Sequence, residues 1–367
     1  MPIKRFTGPA GRLVVLSHTS KVLEGNPLGD PVTRPLHVWL PPQYDDPRHA
    51  RRCYPVLFDL VGFMGSGASH TGWRGYTENV PERAARLIQQ KKMAPAIFVF
   101  PDCFTALGGN QYINSSAVGR YADYLTQELI PLVDAEFRTL ASREHRGCFG
   151  KSSGGYGAIV HGMKYSKYWG AIANHSGDAY FDFCYLPDWP RTLNELDRFR
   201  KPPRRPGRQD ARRAISPTQN GTDDGRVRRF LEAAWAKEKL NDAEAHALME
   251  VAMAATYDPD PKAPLGFRLP VDLDTGELLP KRWAKWQDHD PIHLVGRYAR
   301  NLRTLSGIYL DCGWRDQYHL HFGARILSRQ LAAHNVKHLY EEFDDSHSSI
   351  DYRMDVSLPF LYKSLKP

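Results

Sequence analysis

The chain has 367 residues, 42% of them hydrophobic and 25% charged, which suits one large α/β domain or two average ones. No window approaches eighteen consecutive apolar residues, and the N-terminus lacks the long apolar segment and small-residue cleavage site of a signal peptide, so a cytoplasmic protein with no membrane association is expected. The formal charge of +8 raises nucleic-acid binding as a function, but Arg198–Arg213 alone carries +7; that Pro/Arg-rich stretch reads as a solvated loop, and no nucleic-acid partner is expected.

In chain order, short β-branched runs bounded by Gly, Pro and Asp predict strands at Leu13–Leu16, Pro35–Leu40 and Tyr54–Val61. Helical spacing follows over Glu82–Gln90, then a strand at Ile97–Phe100. Arg120–Glu136 is strongly amphipathic, with Tyr121, Tyr124, Leu125, Leu129, Leu132 and Val133 on one face. A strand at Arg146–Phe149, a helix at Tyr156–Tyr165 and a strand at Gly170–Asn174 come next. From about 185 to 300 the rhythm breaks, with helices expected at Val227–Glu238 and Asp242–Ala254 and turns around Asp258–Pro264. It returns with strands at Leu305–Cys312 and Lys337–Phe343 and helices at His319–His334 and Tyr352–Leu365. This alternation predicts an α/β fold with a mostly parallel central sheet flanked by helices. The expected organisation is a core over 1–184 and 301–367, interrupted by a largely helical insertion over 185–300. The open readings for that insertion are a lid, in which Phe230, Trp235, Trp283 and Trp286 supply apolar surface, packing beside the core, and a homodimer contact. The five scattered cysteines, with no C-x-x-C, imply buried thiols and no metal site.

The stretch GCFGKSSGGYGA, residues 147–158, carries two motifs at once. A phosphate-binding loop would need glycine at 145, where His145 stands. A nucleophile elbow needs small residues two before and two after a serine on a sharp strand-to-helix turn. Ser152 meets that requirement through Gly150 and Gly154, whereas Ser153 would place Lys151 there. Ser152 is therefore the candidate nucleophile, and the Ser153 N–H a candidate oxyanion donor. A serine needs a base and an orienting carboxylate, expected on loops after later strands in the order Ser, Asp, His. Asp316 and His347 fill those places. Asp311 lies inside its strand, Asp344 and Asp345 are too near His347 in sequence, and His175 is poorly placed as the base. His319 and His321 read as a solvated helix face. The second oxyanion donor is expected at the N–H of Phe63, on the loop after Tyr54–Val61. Trp73, Gln111, Tyr112, Asn114, His175 and Trp314, on loops near strand ends, are the candidates for binding substrate.

YPVLFDLVGFMG, FVFPDC, QELIPLVDAEFRT, GKSSGGYGA, LDCGWRDQY and EEFDDSH, in that order, resemble the esterase-D-type branch of the α/β-hydrolases. That branch includes feruloyl esterases, S-formylglutathione hydrolases, enterochelin-esterase-like proteins and mycolyltransferases. The resemblance implies an α/β-hydrolase fold and cofactor-free hydrolysis of a small-molecule carboxylic ester through an acyl-enzyme, with a thioesterase or an acyltransferase as alternatives built on the same triad. Two departures stand out. The usual His-Gly of the oxyanion loop is Val61-Gly62, and the insertion over 185–300 does not match the short members.

Overall fold

The computed structural model describes residues 8–201 and 224–365. Residues 202–213 of the basic stretch lie outside them. The first half contains β1 (Arg12–Thr19), β2 (Thr33–Leu40), β3 (Val56–Leu60), α1 (Val80–Gln89), β4 (Ile97–Pro101) and a two-stranded ribbon of β5 (Asn114–Ser115) and β6 (Gly119–Arg120). The predicted helix at 120–136 is three joined pieces: α2 (Tyr121–Asp123), a wider π-helical segment (Tyr124–Leu129) and α3 (Ile130–Glu136). Next come β7 (Arg146–Lys151), α4 (Ser153–Lys164) and β8 (Ala171–His175). After β8 follow α5 (Phe181–Cys184), α6 (Trp189–Asp197), α7 (Arg226–Trp235), α8 (Asp242–Tyr257), α9 (Pro280–Gln287) and α10 (Pro291–Leu302). The chain then returns to the sheet with β9 (Gly307–Gly313), α11 (Leu320–Ala333), β10 (Leu339–Phe343) and α12 (Met354–Ser364).

The main sheet has the order β1-β2-β4-β3-β7-β8-β9-β10. β1, β2 and β4 pair antiparallel, and every pairing from β4 to β10 is parallel. Buried parallel strands read as continuous apolar runs because helices cover both faces, and β3, β4, β8 and β9 are buried at every position. Side chains alternate between the faces. Val56, Phe58 and Leu60 of β3 join one apolar cluster, while Leu57 joins a second with α1 and α12. β1, at the edge, leaves Leu13 and Val15 exposed.

Helix starts follow local chemistry. Asn79 and Glu82 form a reciprocal capping box that starts α1, and Asn241 with Glu244 does the same for α8. The helix predicted from Tyr156 begins at Ser153 because the tight turn of the elbow runs directly into it. In the range 185–300, Phe230, Trp283 and Trp286 are buried in the same cluster as Tyr156 and Ile159 of α4, so the insertion shares the main core. Helix α10 packs on α4 and α11. Trp235 is exposed, and its indole N–H donates to the Ala106 carbonyl at 2.7 Å. Four of the cysteines are buried as expected, but Cys53 is exposed, on the turn before β3. His319 is exposed and His321 buried, so the pair does not share a solvated face.

Candidate active site

At the carboxyl end of β7 the chain turns sharply at Ser152, whose backbone takes φ 57° and ψ −126°. Two contacts hold the turn. The Ser152 N–H donates to the His175 carbonyl at 3.0 Å, and the Tyr156 N–H donates to the Ser152 carbonyl at 2.9 Å. The glycines are there because of proximity. A Cβ on Gly154 would lie 1.7 Å from the Leu60 carbonyl oxygen, and one on Gly150 would lie 2.2 Å from it. No side chain fits at either place. The backbone N–H groups of the first turn of α4, beginning with Ser153, have no partners inside the helix.

Asp316 follows β9 and His347 follows β10, as the topology requires. His347 Nδ1 lies 2.8 Å from Asp316 Oδ2, and both residues are buried. The other Asp316 oxygen accepts the Tyr318 N–H at 2.9 Å. Gln317 accepts the His347 N–H, and the Tyr318 ring packs edge-on against the imidazole at 4.9 Å. These contacts leave the ring little freedom to rotate. Ser152 and His347 line the same cavity. The Ser152 hydroxyl makes no hydrogen bond to the ring among the described residues, which matches the looser geometry common before substrate binds.

A second Ser-His-Asp constellation lies nearby. His175 Nδ1 is 2.7 Å from Asp311 Oδ1, and His175 Nε2 is 2.8 Å from Ser357 Oγ. Asp311 also accepts from Arg353 at 2.9 Å and from the Tyr309 hydroxyl at 2.9 Å. Ser357, His175 and Asp311 are each at most 2% exposed, and none lines the cavity. The distances are those of a triad, but no substrate reaches this serine. The inner constellation joins β8 and β9 to α12.

The cavity has a volume of about 440 Å³. Its floor is Ser152, Ser153 and the loop from Val61 to Gly65, and α8 contributes Asp242, Ala245, His246 and Met249 to its wall. Phe63 lines it, and the Phe63 N–H has no hydrogen-bond partner among the described residues. Close packing fixes this loop. A Cβ on Gly109 would come within 2.1 Å of the Phe63 carbonyl oxygen.

The six side chains expected to bind substrate lie outside the lining. Trp73 is 72% exposed and Trp314 47% exposed, both turned to solvent. Asn114 is exposed in the β5–β6 ribbon, where its side chain accepts the Asp123 N–H. His175 belongs to the inner constellation. Gln111 and Tyr112 sit behind the wall as supports. The Gln111 amide donates to Ser153 Oγ at 2.7 Å and to Asp178 at 3.2 Å, and the Tyr112 hydroxyl donates to the Val61 carbonyl at 2.6 Å. The lining includes residues that spacing did not reveal, among them His70, Arg74, Lys151, Asp178 and Tyr185. Burial pushes the Asp178 carboxyl above the usual carboxylate range, against a 2.8 Å hydrogen bond from Tyr185 and the nearby His347. Among the described residues no group of His, Cys, Asp and Glu could hold a metal, and no helix is long and apolar enough to cross a membrane.

The family model for putative esterases matches residues 31–357. An esterase of Mycobacterium tuberculosis is 32% identical over 162 residues, covering 42% of this chain and 32% of that protein. The match thus spans about a third of the length of the curated relatives. Among solved structures, a ferulic acid esterase superposes with a TM-score of 0.58 at 17% identity, over 97% of this chain and 98% of the other. An S-formylglutathione hydrolase of Agrobacterium tumefaciens superposes with a TM-score of 0.55 at 17% identity, over 99% of both chains. These likenesses establish the fold, an α/β-hydrolase fold.

Proposed function

The chain belongs to the putative esterase family, and on that premise we propose that it hydrolyses carboxylic esters by acyl transfer to Ser152. One observation carries this reading. A serine on a strained elbow and a buried, carboxylate-held histidine open onto one cavity, whereas the neighbouring constellation of the same three residue types is sealed.

In this reading His347 accepts the Ser152 proton as the hydroxyl attacks the ester carbonyl, and Asp316 holds the imidazole and stabilises its charged form. The unpartnered Phe63 N–H and the Ser153 N–H take the developing oxyanion; one such donor typically contributes about 100–1000-fold in rate. His347 then gives its proton to the departing alcohol, and water, activated by the same ring, releases the acid. The cavity wall from α8 screens the acyl group from solvent.

Ser152→Ala should abolish turnover of a chromogenic ester while leaving the circular dichroism spectrum unchanged. Retained turnover would remove Ser152 from the mechanism. The two solved relatives act, by name, on a ferulic acid ester and on S-formylglutathione. Comparing the oxygen ester and the thioester of one acyl group therefore separates esterase from thioesterase.

A further inference from the structure

Three basic side chains line the cavity near the nucleophile. Lys151 ends β7 immediately before Ser152, and His70 and Arg74 come from the loop after β3. Two of them already have carboxylate partners. Arg74 pairs with Asp351, on the turn leading into α12. His70 Nδ1 lies 2.7 Å from the fully buried Asp59, which outweighs desolvation and raises the His70 pKa. Lys151 has no hydrogen bond or ion pair among the described residues. Burial lowers its pKa, although Asp351 pulls the other way from beyond ion-pair distance. Lys151 is half-buried on the cavity wall with no partner of its own among those residues, and an anion placed against its ammonium gains a charge-assisted contact.

We propose that this part of the cavity binds a free carboxylate carried by the ester substrate, with Lys151 as its anchor. One unpaired ammonium matches a monoanion, and the neighbouring Arg74 and His70 already have carboxylate partners in Asp351 and Asp59. Because Lys151 and Ser152 line one cavity of about 440 Å³, a single small substrate can present its ester to Ser152 and its carboxylate to Lys151, as in a half-ester of a short dicarboxylic acid. This specificity deepens the ester-hydrolase reading and rests on it.

Calorimetric titration of the Ser152→Ala protein with monomethyl and dimethyl succinate tests the site without turnover. The half-ester should bind at least about tenfold more tightly, the range of a charge-assisted hydrogen bond. Adding Lys151→Met or Lys151→Gln should remove the preference, and adding Lys151→Arg should keep most of it. Equal affinity for the two esters, or a preference that survives both neutral substitutions, overturns the proposal. Methyl phosphonoacetate, which carries a dianion, should bind no better than the half-ester; tenfold tighter binding would overturn the carboxylate assignment. Hydrolysis of either monomethyl or dimethyl succinate by the unaltered protein tests the parent reading separately. A carboxylate preference without turnover keeps the site and sinks the hydrolase, and turnover without preference does the reverse.

Discussion

At Ser152 the side chain is kept in a backbone conformation that glycine would adopt more easily. Holding a non-glycine residue in such a region costs on the order of 1–3 kcal/mol, which the surrounding packing must offset. Here the hydrogen bonds to His175 and from Tyr156, with the close approach of Gly150 and Gly154 to Leu60, do so. Ser152→Gly and Ser152→Ala should both be inactive, but the glycine variant should be more stable than the alanine variant by about 1 kcal/mol in urea denaturation. Equal midpoints would mean the turn is relaxed. At this scale the position of Ser152, rather than Ser153, at the tip of the turn was readable because it depends only on neighbours two residues away. Asp316 and His347 were readable because strand ends mark where loops meet. The Lys151, Arg74 and His70 cluster was not, since its partner Asp351 lies 277 residues from Arg74. Nor was the exposure of Trp73 and Trp314, because an aromatic on a loop carries no sign of which way it turns.

Among the elements, the strands of the central sheet were legible because a strand buried on both faces is a short, continuous apolar run. The β5–β6 ribbon was missed, having too few residues to show a period, and the π-helical segment within 120–136 keeps the apolar face of an ordinary helix. In the insertion the helices were visible but their role was not. Helix α8 is buried along most of its length, so its sequence shows little amphipathic contrast, and nothing in it marks Ala245 and Met249 as cavity wall. Replacing Ala245 with Trp should fill that part of the cavity. The specificity constant for a benzoyl ester should fall at least about tenfold more than that for the acetyl ester of the same alcohol, in the range that misfit in an apolar pocket produces. An equal fall for both esters would place α8 away from the acyl group.

Across the whole molecule, stability should respond to pH through histidines that the fold keeps neutral. His161, in α4, is fully buried, with Nε2 2.8 Å from the Tyr112 carbonyl and Nδ1 accepting the Trp169 indole N–H at 3.1 Å. Nε2 donates in either state, but Nδ1 accepts from Trp169 only while the ring is neutral, and burial pushes the pKa down to about 4. His289 is likewise lowered to about 4, by burial and by Lys164. Glu250 works in the opposite direction. It is fully buried with both oxygens unpartnered, so burial pushes its pKa up and folding favours its protonated form, an advantage lost as the pH rises through that raised value. For His161 the unfolded chain takes up a proton near pH 6.5 while the folded chain does not until about pH 4. Stability therefore falls as pH drops through that window, and between pH 7 and pH 5 the loss from one such histidine is about 2 kcal/mol. His161→Gln should lower stability at pH 7, because one of its two hydrogen bonds is lost, but it should flatten the decline between pH 7 and pH 5 by about that amount. Urea denaturation of both proteins at the two pH values reads the difference, and parallel declines would show that His161 does not stay neutral. The same residue also supports the active site. His161 Nε2 donates to the Tyr112 carbonyl, and the Tyr112 hydroxyl anchors Val61 on the loop that presents Phe63; protonation at Nδ1 breaks the contact with Trp169 and leaves this one in place.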